Sequence, residues 1–255
     1  MAPVRVRLDP ADHTVQVETC LSTVMDPELD ESVTELGFIT AVELSGDGEV
    51  HIGFRLPTYW CAANFAFLMA DDMRRAVQVL PWVTQVRVQL HDHMYAEAIN
   101  DGVAEGAGFQ AAFGAAAEGG LEALRTTFLV KAFQRRQEAL LQHLIDAGHA
   151  AALLVALDCD ALQRLVMDAE GERLTQRYLE RRSEAGGGPL AFVDADGRAV
   201  EADALPGHLR GLRRVGVNAE FNGALCRGLL AVRDREVQAQ PIHIVRQPSE
   251  RIGVS

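Results

Sequence analysis

Two short runs of alternating apolar and polar residues flank a Gly-Asp-Gly sequence at residues 46–48, and this arrangement constrains the fold more than any other feature. Residues 38–45 and 48–56 have the period of two that is typical of half-buried strands. The glycines between them favour a tight turn. The pattern therefore predicts an antiparallel β-hairpin.

The segments around the hairpin complete a small α+β unit. Residues 13–24 carry a modest helical pattern, and residues 62–80 place apolar side chains three and four positions apart, as amphipathic helices do. Residues 83–90 alternate again and predict a third strand. The predicted order is helix, strand, strand, helix, strand, with the helices on one face of a three-stranded sheet.

The remainder of the chain is expected to be mainly helical. Residues 100–120 are rich in Gly and Ala and predict either a linker or a loosely packed helix. We place a linker there, between an α+β domain at 1–99 and a C-terminal region at 121–255. Helices are expected there at 121–147, 159–183 and 219–232. A small hairpin is expected around residues 194–197, and a further strand in the tail from Gln238. The predicted fold class is α+β: a small sheet domain followed by a mainly helical extension with a small hairpin.

Composition argues against several classes of protein. The chain has 24 Lys and Arg against 36 Asp and Glu, and its formal net charge of -12 argues against nucleic-acid binding and membrane binding. The sequence shows no apolar segment of signal-peptide or membrane-span length. Its cysteines, which form no C-x-x-C pair, are Cys20, Cys61, Cys159 and Cys226. We therefore expect a cytoplasmic protein with free thiols.

The predicted topology brings candidate metal ligands to one end of the sheet. A strand–helix–strand crossover is almost always parallel and right-handed, so the third strand ends at the edge where the second strand ended. The residues expected at this edge are Asp26, Glu28, Cys61, His91 and His93. Thiolate, imidazole and carboxylate groups are common metal ligands, and a helix N-terminus lowers the pKa of a thiol such as Cys61. The convergence predicts metal contact through Cys61, His91 and His93.

The residues also leave other interpretations open. A cysteine in half-apolar surroundings is most often a buried small side chain, and we expect Cys226 to lie in the core. Asp26 and Glu28 are common residue types in solvated turns, and the His-x-His pattern is equally compatible with an exposed loop. The C-terminal region carries basic residues that form either ordinary surface charge or a docking surface for an acidic client: Lys131, Arg135, Arg136, Arg181, Arg182, Arg210, Arg213 and Arg214.

Several of these elements carry a family resemblance. Residues 15–95 resemble the iron–sulfur cluster assembly domain of the SufT and PaaD type. That domain has an Asp-Pro-Glu turn, a Leu-Gly step, a hairpin, a loop that ends in Cys, and a Leu-Pro pair before its last strand. The corresponding residues here are Asp26-Pro27-Glu28, Leu36-Gly37-Phe38-Ile39, Leu56 to Cys61, and Leu80-Pro81. The chain departs from the family pattern at Trp60, Ala62 and Trp82, where the family usually has a small residue, Pro and Gly.

The resemblance implies a function as well as a fold. It implies that Cys61 contacts a transient iron or iron–sulfur cluster, with Asp26 and Glu28 as supporting residues. It also implies a non-enzymatic maturation factor that serves a client metalloenzyme, for example a metal-dependent oxygenase, with the C-terminal region selecting the client.

Two other functions stay open from the residues alone. The first is a metal-free client-binding chaperone or scaffold. The second is an enzyme with Cys61 as nucleophile and His91 or His93 as base. Related small domains pair through sheet edges, so a homodimer is also left open.

Overall fold

The computed structural model describes residues 10–113, 120–186 and 188–236. Within these residues the chain divides into two compact units. The second unit is Glu122–Ala224, and the first unit holds the remaining described residues on both sides of it. The strand expected in the tail from Gln238 lies outside the described residues.

The first unit is built on a three-stranded sheet with the order β1–β2–β3. β1 (Ile39–Leu44) runs antiparallel to β2 (Glu49–Arg55), and β3 (Gln85–His91) runs parallel to β2. The predicted hairpin and the predicted parallel crossover are therefore both confirmed. Val50 pairs with Val86 along the two parallel strands, so their apolar side chains share one buried face.

Helices cover the sheet and complete the first core. α1 (Pro10–Ser22), α2 (Ala63–Gln78), α3 (Ala96–Ala104) and α4 (Phe109–Phe113) all contribute apolar side chains to the cluster that covers the sheet. The helical spacing of three and four places the apolar residues of α2 on one side, as predicted. The α+β fold class is confirmed.

The Gly- and Ala-rich segment is largely helical where it is described, which is the second of the two alternatives left open for it. Its described part, residues 100–113, lies largely in α3 and α4, and Val103 is buried in the first core. A Cβ added at Gly102 would lie 2.7 Å from the Ala112 Cβ and 3.0 Å from the ring of Phe67. The small residues therefore allow two helices to pack closely, which composition alone did not distinguish from a linker.

The second unit is mainly helical, as expected. Its helices are α5 (Leu121–Asp146), α6 (Ala151–Ala156), α7 (Cys159–Arg164), α8 (Ala169–Arg182) and the first part of α9 (Leu205–Glu236). The stretch 159–183, expected as one helix, is split because Asp168 caps a new helix by accepting a hydrogen bond from the Gly171 N–H. The expected hairpin is reduced to one bridge, between Val193 and Ala199. No helix in the described parts of the chain is long and apolar enough to cross a bilayer.

Two of the basic residues considered for client docking have structural roles instead. Arg136 is buried and pairs with the Glu180 carboxylate at 2.7 Å. Arg182 is buried and donates hydrogen bonds to the carbonyls of Gly186 and Leu190 at 2.8 Å. Burying an arginine is favourable only when its donors have partners, and these contacts supply such partners. These two side chains therefore stabilise the second unit and are not part of a docking surface.

Candidate functional site

Cys61 lies in the loop between β2 and α2. Its side chain is partly buried and packs against the core of the first unit. Ala62 is the N-cap of α2, and its backbone N–H hydrogen-bonds the Cys61 thiol. The cysteine therefore sits beside the first turn of the helix, as the sequence predicted.

His93 fixes the backbone of this loop. Its Nδ1 accepts a hydrogen bond from the Tyr95 N–H at 3.2 Å, so the proton resides on Nε2, which donates to the Cys61 carbonyl at 2.9 Å. The neighbouring Met94 N–H donates to the Tyr59 carbonyl at 3.0 Å. Because His93 is buried and both of its ring nitrogens have protein partners, it positions Cys61 rather than offering a free metal ligand.

His91 lies on the other side of the sheet. It ends β3 on the polar face, where it lines an open groove of 410 Å³ together with His51 and Arg87. The chain then turns through Asp92, whose φ of 51° lies in the left-handed region. Asp92 also pairs with Arg55 at 2.8 Å. This turn separates the two histidines, so the structure brings His93 to Cys61 but leaves His91 away from it.

Asp26 organises the loop before β1. Its Oδ1 accepts hydrogen bonds from the Glu28 N–H at 2.9 Å and from the Leu29 N–H at 2.8 Å. Asp30, which closes this turn, has a φ of 53° and donates its N–H to the Asp26 carbonyl at 2.9 Å. Burial raises the pKa of Asp26, while the two backbone N–H groups oppose this shift. A buried carboxylate is thus held in a fixed position near Cys61.

The Cys61 thiol is not activated in this setting. Burial first, and then the neighbouring Asp26 carboxylate, raise its pKa to about 11, and the Ala62 N–H opposes them only in part. The expectation that the helix N-terminus lowers the pKa of this thiol is wrong, because desolvation and nearby negative charge outweigh one backbone donor. Cys61 therefore carries a thiol, and not a thiolate, at neutral pH.

A second thiol lies in the same electrostatic environment. Cys226, in the part of α9 that belongs to the first unit, is partly buried and packs against the same core as Cys61. Burial and the carboxylates of Asp26 and Glu28 raise its pKa. Next to it, Arg227 pairs with the Glu31 carboxylate at 2.7 Å. The sequence predicted only a core cysteine here, because nothing in the spacing of the chain links this position to Cys61.

Residues 14–89 match the family model described as "Iron-sulfur cluster assembly protein". The chain contains an iron–sulfur cluster assembly domain. The resemblance drawn from the sequence is thereby confirmed, and a further C-terminal region follows the assembly domain. The match includes Asp26, Glu28 and Cys61, whereas His93 and Cys226 lie beyond its end.

Curated relatives of the assembly domain carry a functional name. Proteins named "Iron-sulfur cluster carrier protein" from Mycobacterium bovis and Mycobacterium tuberculosis are 33% identical to this chain over 79 residues. The matched segment is 31% of this chain and 20% of either relative. The chain thus spans a fifth of the length of the curated relatives that it matches.

An exposed apolar rim borders Cys61. We define this apolar rim as Tyr59, Trp60, Met94 and Tyr95, all of which are exposed. Trp60, directly before the cysteine, is 71% exposed. Tyrosine, tryptophan and methionine are enriched at the centres of protein interfaces. The rim therefore has the composition of a surface that contacts another protein.

The described residues hold no preformed site for a single metal ion. Within 10–113, 120–186 and 188–236, no three His, Cys, Asp or Glu side chains are arranged to coordinate one ion. A mononuclear site takes three or four protein ligands. Cys61, His91 and His93 do not form such a group among these residues. His93 is buried against the cysteine loop, whereas His91 is exposed at the end of β3.

Proposed function

We propose that this protein is a carrier or assembly factor that holds iron or an iron–sulfur cluster at Cys61 and passes it to a client metalloenzyme. The cluster is cargo and is held only transiently. Among clients, a metal-dependent oxygenase is the class that the family resemblance suggests. The relatives named as cluster carriers support an iron–sulfur cluster as the cargo, and the surroundings of Cys61 support this cysteine as the binding site.

The placement of Cys61 carries this proposal. Its sulfur lies at the rim of the domain core, with the Asp26 and Glu28 carboxylates close enough to raise its pKa. Sulfur is the preferred protein ligand of iron–sulfur clusters, and nearby carboxylates attract cationic iron. Iron loading breaks the S–H bond, forms an S–Fe bond and releases the proton to solvent. While no cargo is bound, the Cys61 thiol stays protonated and therefore resists oxidation. This property is favourable for a carrier.

The apolar rim supports transfer to another protein. Trp60 and Tyr59 project beside the cysteine on the loop that His93 holds in place. A client that covers the rim would bring its own ligands next to the cargo and exclude water from the site. The client would therefore dock on the apolar rim, and the cargo would leave from Cys61.

Loading followed by transfer tests the proposal. The wild-type protein is reconstituted anaerobically with iron and sulfide, desalted, and mixed with an apo [2Fe–2S] ferredoxin as acceptor. We expect visible cluster absorption in the carrier and its appearance in the ferredoxin faster than from free iron and sulfide. A carrier that retains no iron after desalting would contradict the proposal.

A metal-free client-binding scaffold is the second candidate, and the exposed apolar rim favours it. Such a scaffold would bind a client through Trp60 and Tyr59 without using the Cys61 sulfur. Client binding that is weakened by Trp60→Ala, together with no iron in the wild type, would select the scaffold. The contacts of His93 weigh against a Cys–His enzyme, because its Nε2 donates to a carbonyl and not to the thiol.

A further inference from the structure

We propose that α4 covers the surface on which a helix of the client binds, and that the client displaces α4 from this surface. The inference rests on the proposed function and names the kind of partner that binds at the apolar rim. That partner is an amphipathic helix with two large apolar side chains one turn apart, the spacing that Phe109 and Phe113 have in α4.

α4 lies on a surface that we call the α4 seat, which consists of Phe67, Tyr95 and Gly102. The Phe109 ring contacts the Phe67 ring edge-on, with 5.5 Å between the ring centroids. A Cβ added at Gly102 would lie 2.7 Å from the Cβ of Ala112. Because glycine has no side chain, α3 offers a place at Gly102 where another helix can approach closely.

The α4 seat is continuous with the apolar rim. Tyr95 belongs to both, and its ring contacts the Phe113 ring edge-on, with 5.7 Å between the ring centroids. On its other side Tyr95 donates its backbone N–H to His93, the residue that holds the Cys61 carbonyl. A client that covers the rim and extends beyond Tyr95 therefore meets α4.

α4 has the properties of an element that can be displaced. It has five residues, and none of them is buried. Helices this short are unstable in isolation and depend on their packing. Gly106, with a φ of 64°, and Gly108 precede the helix, and a Cβ at either would meet nothing within 4 Å. Because glycine adopts many backbone conformations, α4 can leave its seat without rearranging α3.

The side chains of α4 indicate the chemistry of the helix that would replace it. Phe109, Ala112 and Phe113 pack against the first core at positions i, i+3 and i+4. The two rings make edge-on contacts with Phe67 and Tyr95, which is a favourable geometry for aromatic pairs. A client helix with the same spacing would make the same contacts and would add contacts with the rest of the apolar rim. Displacement requires this difference in affinity between the client and α4.

Binding of a probe peptide to variants of the full chain tests the inference. The probe is a hydrocarbon-stapled helical peptide with the sequence of residues 109–113, and its control peptide has Ala in place of both Phe residues. The double variant Phe109→Ala, Phe113→Ala weakens the competition from α4. We expect the double variant to bind the probe roughly fivefold or more tightly than the wild type does, the scale of two lost aromatic pairs. Gln110→Ala is the matched control, because Gln110 is exposed on α4, and it should bind like the wild type.

Hydrogen exchange of the wild-type protein tests the opening of α4 without any substitution. The Ala112 N–H donates to the Gly108 carbonyl at 3.2 Å. It should exchange at least roughly tenfold faster than the paired amides of β2, because α4 opens locally. The probe peptide should increase this rate further by keeping α4 displaced. An Ala112 amide as protected as those of β2 would overturn the inference.

The outcomes separate this inference from the proposed function. A folded double variant that binds the probe no better than the wild type would overturn the inference, and iron retained by the wild type would leave the function standing. Tighter binding by the double variant, with no iron in the wild type, would support the docking surface and overturn the carrier. Circular dichroism shows whether each variant is folded. A folded double variant that dimerises in sedimentation velocity and binds no probe would assign the α4 seat to a second copy and also overturn the inference.

Discussion

The imidazole of His93 donates a hydrogen bond to the backbone carbonyl of Cys61 at 2.9 Å. The same ring accepts from the Tyr95 N–H at 3.2 Å, so one buried side chain joins the end of β3 to the loop that carries the sulfur. The histidine determines where the cysteine sits.

Replacing His93 should destabilise the first unit. His93→Ala leaves the Tyr95 N–H and the Cys61 carbonyl without this partner, at a cost of about 1–3 kcal/mol in the free energy of unfolding. His91→Ala, at an exposed position on the polar face, is the control and should change it by less than about 0.5 kcal/mol. Urea unfolding of the two variants makes the comparison, and equal stabilities would show that His93 does not hold the loop.

The Cys61 thiol should titrate well above neutral pH. In a protein with the other three cysteines replaced by serine, the rate of alkylation by iodoacetamide should keep rising with pH toward about 11. Asp26→Asn removes a charge that disfavours the thiolate, so the titration should move to lower pH. A midpoint below that of an ordinary cysteine in the Asp26-containing protein would contradict the structure.

Asp26 should make stability depend on pH in a definite direction. Burial raises its folded-state pKa above the unfolded value of 3.8, so its favourable contribution is complete below that value and is lost as pH rises through the folded pKa. The stability of Asp26→Asn relative to the wild type should therefore increase with pH over this range. Asn keeps the acceptor for Glu28 and Leu29. The free energies of unfolding of the two proteins, measured from pH 3 upward, provide the test. A difference between them that does not change with pH would exclude the raised pKa of Asp26.

The close packing at Gly102 should not tolerate a methyl group. Gly102→Ala places a Cβ 2.7 Å from the Ala112 Cβ and should cost about 1–3 kcal/mol through overpacking. Gly228→Ala is the helical control, because a Cβ there meets nothing within 4 Å. That change should stabilise the protein by about 0.5–1 kcal/mol through helix propensity. Thermal unfolding distinguishes the two, and a neutral Gly102→Ala would mean that α3 and α4 do not pack closely.

Replacing Trp60 should slow cluster transfer without changing the stability of the fold. Trp60→Ala should leave stability and iron loading unchanged within error, because the side chain is 71% exposed. It should slow cluster transfer to a client that docks on the apolar rim. Val79→Ala is the control, since Val79 is 76% exposed at the far end of α2. Equally fast cluster transfer from Trp60→Ala and Val79→Ala would show that the apolar rim takes no part in transfer.

The sequence predicted the sheet and the place of Cys61 because local patterns and one topological rule determine them. The alternation of apolar and polar residues predicted the strands. The rule that strand–helix–strand crossovers are parallel and right-handed placed Asp26 and Cys61 at one end of the sheet. The separation of His91 from His93 was not predictable, since it depends on the left-handed conformation of Asp92. The core position expected for Cys226 is confirmed by its packing against the first core. The influence of the Asp26 and Glu28 carboxylates on its pKa was not predictable, because these residues lie far apart in the sequence and no periodic signal links them.

The most direct test of the central claim is the iron and sulfide content of the protein after anaerobic reconstitution, compared between wild type and Cys61→Ser. The account predicts iron and sulfide bound to the wild type, with visible cluster absorption, and their loss in Cys61→Ser while Cys20→Ser retains them. Equal iron and sulfide in wild type and Cys61→Ser would contradict it and place the cargo elsewhere.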